Sequence, residues 1–413
     1  MAKKKLTIED VLVPKEEIPY EVPDNWCWTR LGVAAEYING KAFKSTDWKE
    51  SGIPIVRIQN LTGSNNSFNY SDGNVDEKYF INNGDLLIAW SATLGAFIWN
   101  GGKAVLNQHI FKVKPKINKK YLFYLVNHSI DELYRRTQGT GMVHVTKKVF
   151  DSIEIPLPPL AEQERIVNRI ESLFEKVNKS SDLIEEAREG FEKRRAAILE
   201  KAFSGALIQS KPQYIKLKEC GEFIKDKKEP EVYDNYLGLE HFISGYGISN
   251  YSTGENVKST KSKFLKGDIL YGRLRPYLDK HDIVDKDGIC STDILIFRCN
   301  KDISINKYIN YFMGTNSFKS YAIDNSQGIN LPRVSARVLN ELEIPIFTIK
   351  EQNKTVEILD NMIDKEFNID ELTTIDESIE MIRKSILAKA FRGELGSNDL
   401  REESSIDLLK EIL

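Results

Sequence analysis

The sequence carries the same set of motifs twice, about 190 residues apart. The stretches that recur are 154–157 as 343–346, 162–163 as 351–352, and 202–207 as 390–395. A repeat of this length is too long for a solenoid and indicates two domain-sized units. A duplicated chain suits a ligand that itself has a local dyad, and duplex DNA is the commonest such ligand.

The duplication extends into the segments that precede these motifs. The similar segments there are 83–87 and 266–270, 118–125 and 306–313, and 137–139 and 326–328. The runs 53–58, 85–89 and 109–113 are typical of strands, and 118–136 is typical of a helix. Between these anchors the two copies differ strongly, so the pattern predicts one scaffold that carries two different binding surfaces.

Each copy ends in a long predicted helix. The prolines at 156, 158 and 159 place the start of the first helix at about Leu160. Thr348 and Glu351 form a capping-box pattern that starts the second helix near residue 349. Gly205 and Gly393 stand where a glycine commonly ends a helix. Each helix is then about 40 residues, or near 60 Å, and needs a partner along its length.

Apolar residues at alternating three- and four-residue steps supply that partner surface. In the first helix this seam comprises Ile166, Ile170, Leu173, Val177, Ile184, Ala187, Phe191 and Ile198, with Ser180 and Arg194 at its two polar positions. In the second helix it comprises Leu372, Ile375, Ile379, Ile382 and Ile386. A stutter around 367–370 shifts the phase of the second seam. The pattern predicts that the two helices pair with each other in antiparallel fashion, and the alternative is two amphipathic helices on separate globular cores.

The overall charge of −3 hides an uneven distribution. The two globular copies are mildly basic, whereas 341–413 carries roughly −9. An acidic segment does not face phosphates and is expected to face protein or solvent. No apolar run is long enough to span a bilayer, and no signal peptide is recognisable. Four scattered cysteines without paired spacing predict reduced thiols and a cytoplasmic protein.

Motifs for chemistry are mostly absent from the sequence. It has no glycine-rich phosphate loop, no methyltransferase tetrapeptide of the Asn/Asp-Pro-Pro-aromatic type, and no metal-ligand spacing among its five histidines. One weak match to a nuclease signature joins Pro23-Asp24 to Asp47-Trp48-Lys49. We therefore predict a chain that is not itself an enzyme and that holds no cofactor or metal.

Arginines beside aromatic residues make the second copy a candidate for DNA binding. Arg273, Arg275 and Tyr277 follow a predicted strand on a loop restricted by Pro276. Arginine is suited to bidentate contacts with guanine and to phosphates. The loop 327–333 adds Asn330 and Arg333. The alternative is that these arginines form ordinary surface salt bridges.

The first copy offers a different set of DNA-binding candidates. Arg57 and Gln59 would share one face of a strand over 55–60, and Asn60 would follow at its end. Trp90 and Ser91 occupy the position equivalent to 272–273, so they are expected to bind a different sequence from an equivalent loop. A half-buried strand and a core tryptophan are the alternative interpretations.

Over nearly its whole length, the sequence resembles the specificity subunits of type I restriction–modification enzymes. The most characteristic stretches are Ile155–Gln163 at the start of the first helix and Ile386–Leu395 at the end of the second, together with 267–270 and 273–277. The start of the second helix lacks the Pro-Pro-Leu of the first, so the two helix starts are unequal.

The resemblance implies an α+β fold in which two similar globular α/β-mixed DNA target recognition domains are joined by two long helices. These would form an antiparallel coiled coil with pseudo-twofold symmetry. The predicted boundaries are an N-terminal extension 1–19, target recognition domain 1 at 20–153, a central helical region 154–212, target recognition domain 2 at 213–342, and a C-terminal helical region and tail 343–413.

The resemblance also implies partners. Each domain would recognise one half of a bipartite asymmetric site in double-stranded DNA, and the helix pair would fix the spacer and bind two modification (methyltransferase) subunits. Those subunits would bring S-adenosylmethionine, and restriction (motor–nuclease) subunits would bring ATP and Mg²⁺. Two alternatives are a stand-alone or fused nuclease or methyltransferase, and a coiled-coil scaffold that does not bind DNA.

Overall fold

The computed structural model describes residues 6–136, 145–363 and 369–413, without the side chains of 136, 363 and 369–374. The chain divides into two compact units. Unit 1 comprises Met1–Ser181 and Asp376–Leu413, and unit 2 comprises Asp182–Ile375.

Unit 1 contains a globular domain built before the first long helix. Its elements are α1 Ile8–Val11, β1 Cys27–Arg30, α2 Leu31–Ala34, β2 Ala35–Asn39, β3 Ile53–Val56, α3 Ile58–Leu61, β4 Asn69–Ser71, β5 Phe80–Ile81, β6 Leu86–Ala89, β7 Gly95–Ile98, β8 Ala104–Leu106, β9 Ile110–Pro115, α4 Lys119–His128, α5 Ile130–Arg136, α6 Lys147–Asp151 and β10 Glu154–Leu157. The long helix α7, Leu160–Phe203, follows and crosses from unit 1 into unit 2.

Two four-stranded sheets form this domain. One has the order β2-β9-β6-β7 with every pair antiparallel, and the other has the order β4-β3-β8-β5 with β3 and β8 parallel. β1 pairs separately with β10, which ties the start of the domain to its end. The larger core lies between the first sheet and α4, and it also takes Ile166 and Ile170 of α7.

Unit 2 contains a second globular domain of the same kind. Its elements are β11 Gln213–Lys216, α8 Leu217–Cys220, β12 Gly221–Ile224, β13 Lys227–Lys228, β14 Asn235–Leu237, β15 Phe242–Ile243, β16 Gly247–Ile248, β17 Ser252–Thr253, β18 Lys261–Phe264, β19 Ile269–Gly272, β20 His281–Ile283, β21 Gly288–Cys290, β22 Ile294–Cys299, α9 Asn306–Met313, α10 Asn316–Asp324, α11 Ala336–Leu339 and β23 Glu343–Ile346. Helices α12 Ile349–Ile363, α13 Ile369–Phe391 and α14 Ser405–Ile412 complete the chain.

The strand order of unit 2 repeats that of unit 1. The sheet β12-β22-β19-β20 is again antiparallel throughout. The second sheet, β13-β18-β21-β14-β17, again contains one parallel pair, β14 with β21. β11 pairs with β23 as β1 pairs with β10. The predicted duplication is therefore a duplication of the fold.

The recurring Glu-Gln motif has a structural role in both copies. Gln163 is completely buried, where its Oε1 accepts a hydrogen bond from the Asn118 backbone N–H and its Nε2 donates to the Pro158 carbonyl. Gln352 is equally buried and joins the Ile305 backbone N–H to the Phe347 carbonyl. Each glutamine thus fastens the first turn of a helix to its globular domain.

The predicted helix boundaries are confirmed where local sequence signals define them. α7 begins at Leu160, and Thr348 caps the start of α12 through reciprocal hydrogen bonds with Glu351. Gly205 and Gly393 adopt positive φ angles of 81° and 73° after α7 and α13. The helical prediction for 118–136 is also confirmed, as α4 and α5. The stutter predicted at 367–370 lies largely outside the described residues.

The last part of the acidic C-terminal segment, 376–413, belongs to unit 1 and packs against it. Glu402 forms two hydrogen bonds of 2.7 Å with the Arg165 guanidinium, which also contacts the buried Glu162. Leu409 of α14 is buried in the larger core of unit 1. As its charge suggests, this segment packs against protein.

All four cysteines carry free thiols. Within the described ranges, no helix combines the length and the apolar character that crossing a membrane requires.

Candidate nucleic-acid interface

The arginine segment of unit 2 begins where a buried central strand ends. All four residues of β19 are buried, and the chain then emerges at Arg273. Arg275 adopts a left-handed conformation with φ of 53°, which turns the chain into Pro276 and exposes Tyr277. The Arg273 backbone N–H donates to the Asp293 carbonyl at 2.9 Å, so the start of the loop is fixed.

A second loop lies directly beside this segment. The Arg275 backbone N–H donates to the Pro332 carbonyl at 2.8 Å, and the Val334 N–H donates to the Arg273 carbonyl at 3.1 Å. The structure therefore brings together two stretches that the sequence keeps far apart. We call residues 273–277 and 327–333 the domain 2 loop pair. It contains five of the predicted DNA-binding residues: Arg273, Arg275, Tyr277, Asn330 and Arg333.

The arginines of the loop pair are not equivalent. Arg333 forms a two-pronged ion pair with Asp293, with Nε–Oδ1 at 2.8 Å and Nη2–Oδ2 at 3.3 Å, and this partner raises the pKa of the guanidinium. Arg275 is exposed, and within the described part of the chain its guanidinium has no hydrogen bond or ion pair. Arg273 is half-buried, and its Nε finds no acceptor among the described residues. Arg333 therefore braces the loops, whereas Arg275 is available to a ligand.

A buried carboxylate secures the other end of the arginine segment. Asp279 is buried with φ of 49°, and it lies 3.2 Å from Lys319 Nζ and 3.4 Å from His281 Nε2. Burial alone would raise the pKa of Asp279, but the hydrogen bonds and charges of His281 and Lys319 bring this pKa below its ordinary value. The carboxylate therefore stays ionised and holds the turn in place.

Unit 1 builds the same corner with different residues. The Val145 N–H donates to the Trp90 carbonyl at 3.1 Å, just as Val334 donates to Arg273. Ala92 has φ of 59°, which matches the 53° of Arg275. Trp90 therefore corresponds to Arg273, and the predicted equivalence to 272–273 was wrong by one residue. The counterpart of the second loop, 137–144, lies outside the described residues.

The side chain of Trp90 is half-buried and packs against the domain, and that of Ser91 is buried. The Trp90 ring packs 5.5 Å from His109 and 5.7 Å from Phe111, at the edge of the larger core. These contacts favour a structural role at this corner, and the assignment of Trp90 and Ser91 as DNA-binding residues stays a prediction.

The segment around Arg57 is not the strand that the sequence predicts. β3 ends at Val56, and Ile58–Leu61 forms the single-turn helix α3. Asn60 is fully engaged inside its own loop: Oδ1 accepts from the Arg57 N–H, and Nδ2 donates to the carbonyls of Asn65 and Ser67. These bonds give Asn60 a role in loop support, and its contact with a base stays a prediction. Gln59 is half-buried on α3.

Sequence reasoning missed a basic and aromatic loop beside Arg57. The Arg57 guanidinium lies 5.8 Å from the centre of the Trp48 ring, which is an exposed side chain. In the same loop the Lys41 ammonium lies 5.3 Å from the Phe43 ring, and Lys44 is exposed. Lysines interleaved with aromatic residues over 41–49 were the available signal, because this pattern is typical of nucleic-acid binding surfaces.

The same loop accounts for the weak nuclease match. The Asp47 carboxylate accepts a hydrogen bond of 2.8 Å from the Lys44 backbone N–H and so caps a short turn. The described residues contain no cluster of three or more His, Cys, Asp or Glu side chains able to hold a metal ion.

The helix pair of unit 1 is formed by the first half of α7 and the last turns of α13. Ile166 and Ile170 are buried, whereas Leu173, Val177, Ile379 and Ile386 are half-buried. Arg383 donates to Asn178 Oδ1 at 2.6 Å, while Arg165 contacts the Ser397 carbonyl, so the two segments run antiparallel. Ile382 remains 48% exposed, although the seam predicts an inward position.

The helical residues of unit 2 are buried chiefly near the globular domain. Leu199, Val356 and Leu359 enter its larger core. The seam residues Ile184, Phe191 and Ile375 are only half-buried. The side chain of Leu372 lies outside the described residues. Complete burial along α7 is thus confined to its two ends, where the helix meets a domain.

Comparison with known proteins identifies the family. The model of the type I restriction modification DNA specificity domain matches residues 23–187 and, separately, residues 213–381. The chain is similar to the type I restriction enzyme EcoBI specificity subunit of Escherichia coli, with 23% identity across 91% of this chain and 87% of that protein. It is also similar to the MjaVIII specificity subunit of Methanocaldococcus jannaschii, with 24% identity across 94% and 96% of the two chains.

A solved chain from work on complex assembly and conformational transition of the type I R-M system has the same fold. It superposes with a TM-score of 0.65 at 17% identity and covers 91% of this chain and 100% of its own length. The family model accounts for most of the sequence and recognises each of the two copies. This chain therefore belongs to the family of type I restriction modification DNA specificity domains.

Proposed function

We propose that this chain is the DNA-recognition subunit of a type I restriction–modification complex, in which each globular domain recognises one half of a bipartite asymmetric site. The observation that carries the proposal is the double match of the specificity-domain model, once to each structural copy. Two copies of one recognition fold in a single chain provide two binding surfaces for one DNA molecule.

The differences between the copies support recognition of two different half-sites. The turn that follows β6 in unit 1 and β19 in unit 2 has a similar backbone in both units, with positive φ at Ala92 and at Arg275. One copy places a small apolar side chain at this position and the other places an unpaired guanidinium. Because arginine contacts guanine edges and phosphates, only the second copy can make such contacts there.

The two long helical regions suit a spacer between the recognition surfaces. α7 contains 44 residues, which corresponds to about 66 Å of helix. Its middle turns expose much of their surface, including Leu183. Exposed apolar residues on a long helix are suited to a protein partner, and we assign this surface to the two methyltransferase subunits.

The chemistry is assigned to partner subunits. In this proposal the methyltransferase subunits bind S-adenosylmethionine, and the restriction subunits bind ATP and Mg²⁺. This chain would supply recognition alone, and its similarity to proteins named as specificity subunits supports that assignment. Incubating the purified chain with S-adenosylmethionine and duplex DNA should give no methyl transfer. After the methyltransferase subunits are added, methyl transfer should be detected.

Exchange of the two domains tests the assignment directly. Residues 20–153 and 213–342 should be swapped within the full chain, and methylated adenines should be mapped in cells that also express the methyltransferase subunits. We expect the order of the half-sites to be reversed, because each domain carries its own contacts. A swapped chain that supports methylation at the original site would contradict the assignment of one domain to one half-site.

A further inference from the structure

The second loop of the domain 2 loop pair is a small hairpin with a fixed base. Gln327 and Arg333 exchange two backbone hydrogen bonds of 2.9 and 2.8 Å. Pro332 is bonded in turn to the arginine segment, through its carbonyl and the Arg275 N–H at 2.8 Å. Val334, directly after the hairpin, is fully buried. The base is therefore anchored on both sides, and only 328–331 projects.

The apex of this hairpin carries two exposed apolar side chains, and one of them is completely exposed. Ile329 has a relative exposure of 101%, and Leu331 is also exposed. Their neighbours at the apex are Gly328, with φ of 104°, and the exposed Asn330. Single exposed apolar residues are ordinary on protein surfaces. Ile329 lies at the tip of an anchored hairpin, makes no contribution to the core and is accessible to a ligand.

The charges beside the tip restrict what that ligand can be. The exposed Arg275 guanidinium is bonded to no other described residue, and Tyr277 two residues later is 53% exposed. An apolar protein surface would bury this arginine without a partner, which is costly. A DNA duplex instead offers phosphates to the arginine and stacked bases to the apolar tip.

We propose that the 327–333 hairpin enters a groove of the half-site recognised by domain 2 and that Ile329 acts as a wedge that partly unstacks one base step. DNA-bending proteins insert isoleucine, leucine and similar side chains in this way. Gly328 keeps the tip narrow enough to enter, and Arg333 holds it rigid through Asp293. This inference rests on the proposed function, because it assigns a contact within the half-site of domain 2.

The test uses the full-length chain assembled with its methyltransferase subunits, without S-adenosylmethionine. The probe is a duplex that carries the site mapped from methylated adenines, with 2-aminopurine placed at successive positions of one half-site and never at the methylated adenine. We expect the fluorescence of 2-aminopurine to rise on binding when it stands at one base step of the domain 2 half-site, because that step becomes unstacked. Ile329→Ser should abolish that rise and weaken binding roughly tenfold, whereas Ile329→Leu should retain both.

A matched control separates a wedge from a general surface effect. Tyr233 is 94% exposed in the loop before β14, and Tyr233→Ser should change neither emission nor affinity. Because both side chains lie outside every core, the variants should fold like the parent chain. Unchanged binding by Ile329→Ser, or weaker binding with no emission rise in the parent complex, would overturn the wedge. Failure of the parent complex to prefer its mapped site would instead overturn the proposed function.

Discussion

Replacing Gln163 with leucine should destabilise unit 1 and leave unit 2 unchanged. The Gln163 side chain is completely buried at the first turn of α7. Its Oε1 lies 2.8 Å from the Asn118 backbone nitrogen, and its Nε2 lies 2.9 Å from the Pro158 carbonyl oxygen. Leucine has a similar volume but can make neither hydrogen bond, so two main-chain groups lose their partner.

The magnitude follows from those two groups. Each buried main-chain group left without a partner costs about 1–3 kcal/mol. The extra apolar surface of leucine offsets about 1 kcal/mol of this cost. We therefore expect the free energy of unfolding of unit 1 to fall by about 3 kcal/mol. With a denaturant slope of about 2 kcal/mol per molar urea, the midpoint should fall by roughly 1–2 M.

The distribution of tryptophan makes the assay specific for unit 1. All five tryptophans of the chain lie between Trp26 and Trp99, within unit 1. Three of them, Trp26, Trp28 and Trp99, are buried and will respond to unfolding. Intrinsic fluorescence in a urea titration therefore follows unit 1, whereas far-ultraviolet circular dichroism follows both units.

Gln352→Leu is the matched control. Gln352 is equally buried, accepts from the Ile305 N–H at 3.1 Å and donates to the carbonyls of Ile303 and Phe347, both at 2.8 Å. Its replacement should lower the circular dichroism transition of unit 2 and leave the fluorescence transition in place. An unshifted fluorescence midpoint in Gln163→Leu would refute the reasoning, as would equal fluorescence shifts in both variants.

Three other changes give distinct expectations. A β-carbon at Gly393 would lie 2.5 Å from Pro23 Cγ, whereas a β-carbon at Gly396, which has a similar positive φ, would meet open space. Gly393→Ala should therefore lower the free energy of unfolding by about 1–2 kcal/mol more than Gly396→Ala does, as measured by fluorescence in a urea titration. Two lysines lower the pKa of Glu341 from 4.5 to about 2. The ionised carboxylate therefore stabilises the fold above pH 4.5, and this stabilisation is lost as the pH falls toward 2. In thermal unfolding, the difference in stability between Glu341→Gln and the parent chain should shrink between about pH 5 and pH 3. Four residues inserted after Ser180 should lengthen α7 by about 6 Å and the preferred spacer by one or two base pairs, and methylated adenines that keep their original separation would contradict the role of the helices as a spacer.

Sequence alone determined the features that are encoded locally or by repetition. The duplication predicts two copies of one fold because equal motifs at equal spacing require equal scaffolds. Prolines, a capping box and glycines define the helix ends because each acts on the backbone within a few residues of its own position. These are the predictions that the structure confirms with the smallest shifts.

Short-range patterns were less informative about side-chain roles. The alternation around Arg57 predicts a strand, yet the chain turns into α3 because Asn60 can bond the backbone on both sides of its loop. Trp90 has the residue type of a DNA contact, but neighbouring aromatic rings draw it into the edge of the core. Residue type does not reveal which partners a side chain will meet.

Only the tertiary structure decided what lies together on the candidate surface. The arginine segment ends at residue 277 and the hairpin begins at residue 327. Their contact depends on backbone hydrogen bonds between Arg275 and Pro332 and between Val334 and Arg273. Such bonds use groups that every residue possesses, so no sequence pattern marks them. The same pairing determines that Arg333 meets Asp293 and braces the loops, while Arg275 and Ile329 face outward.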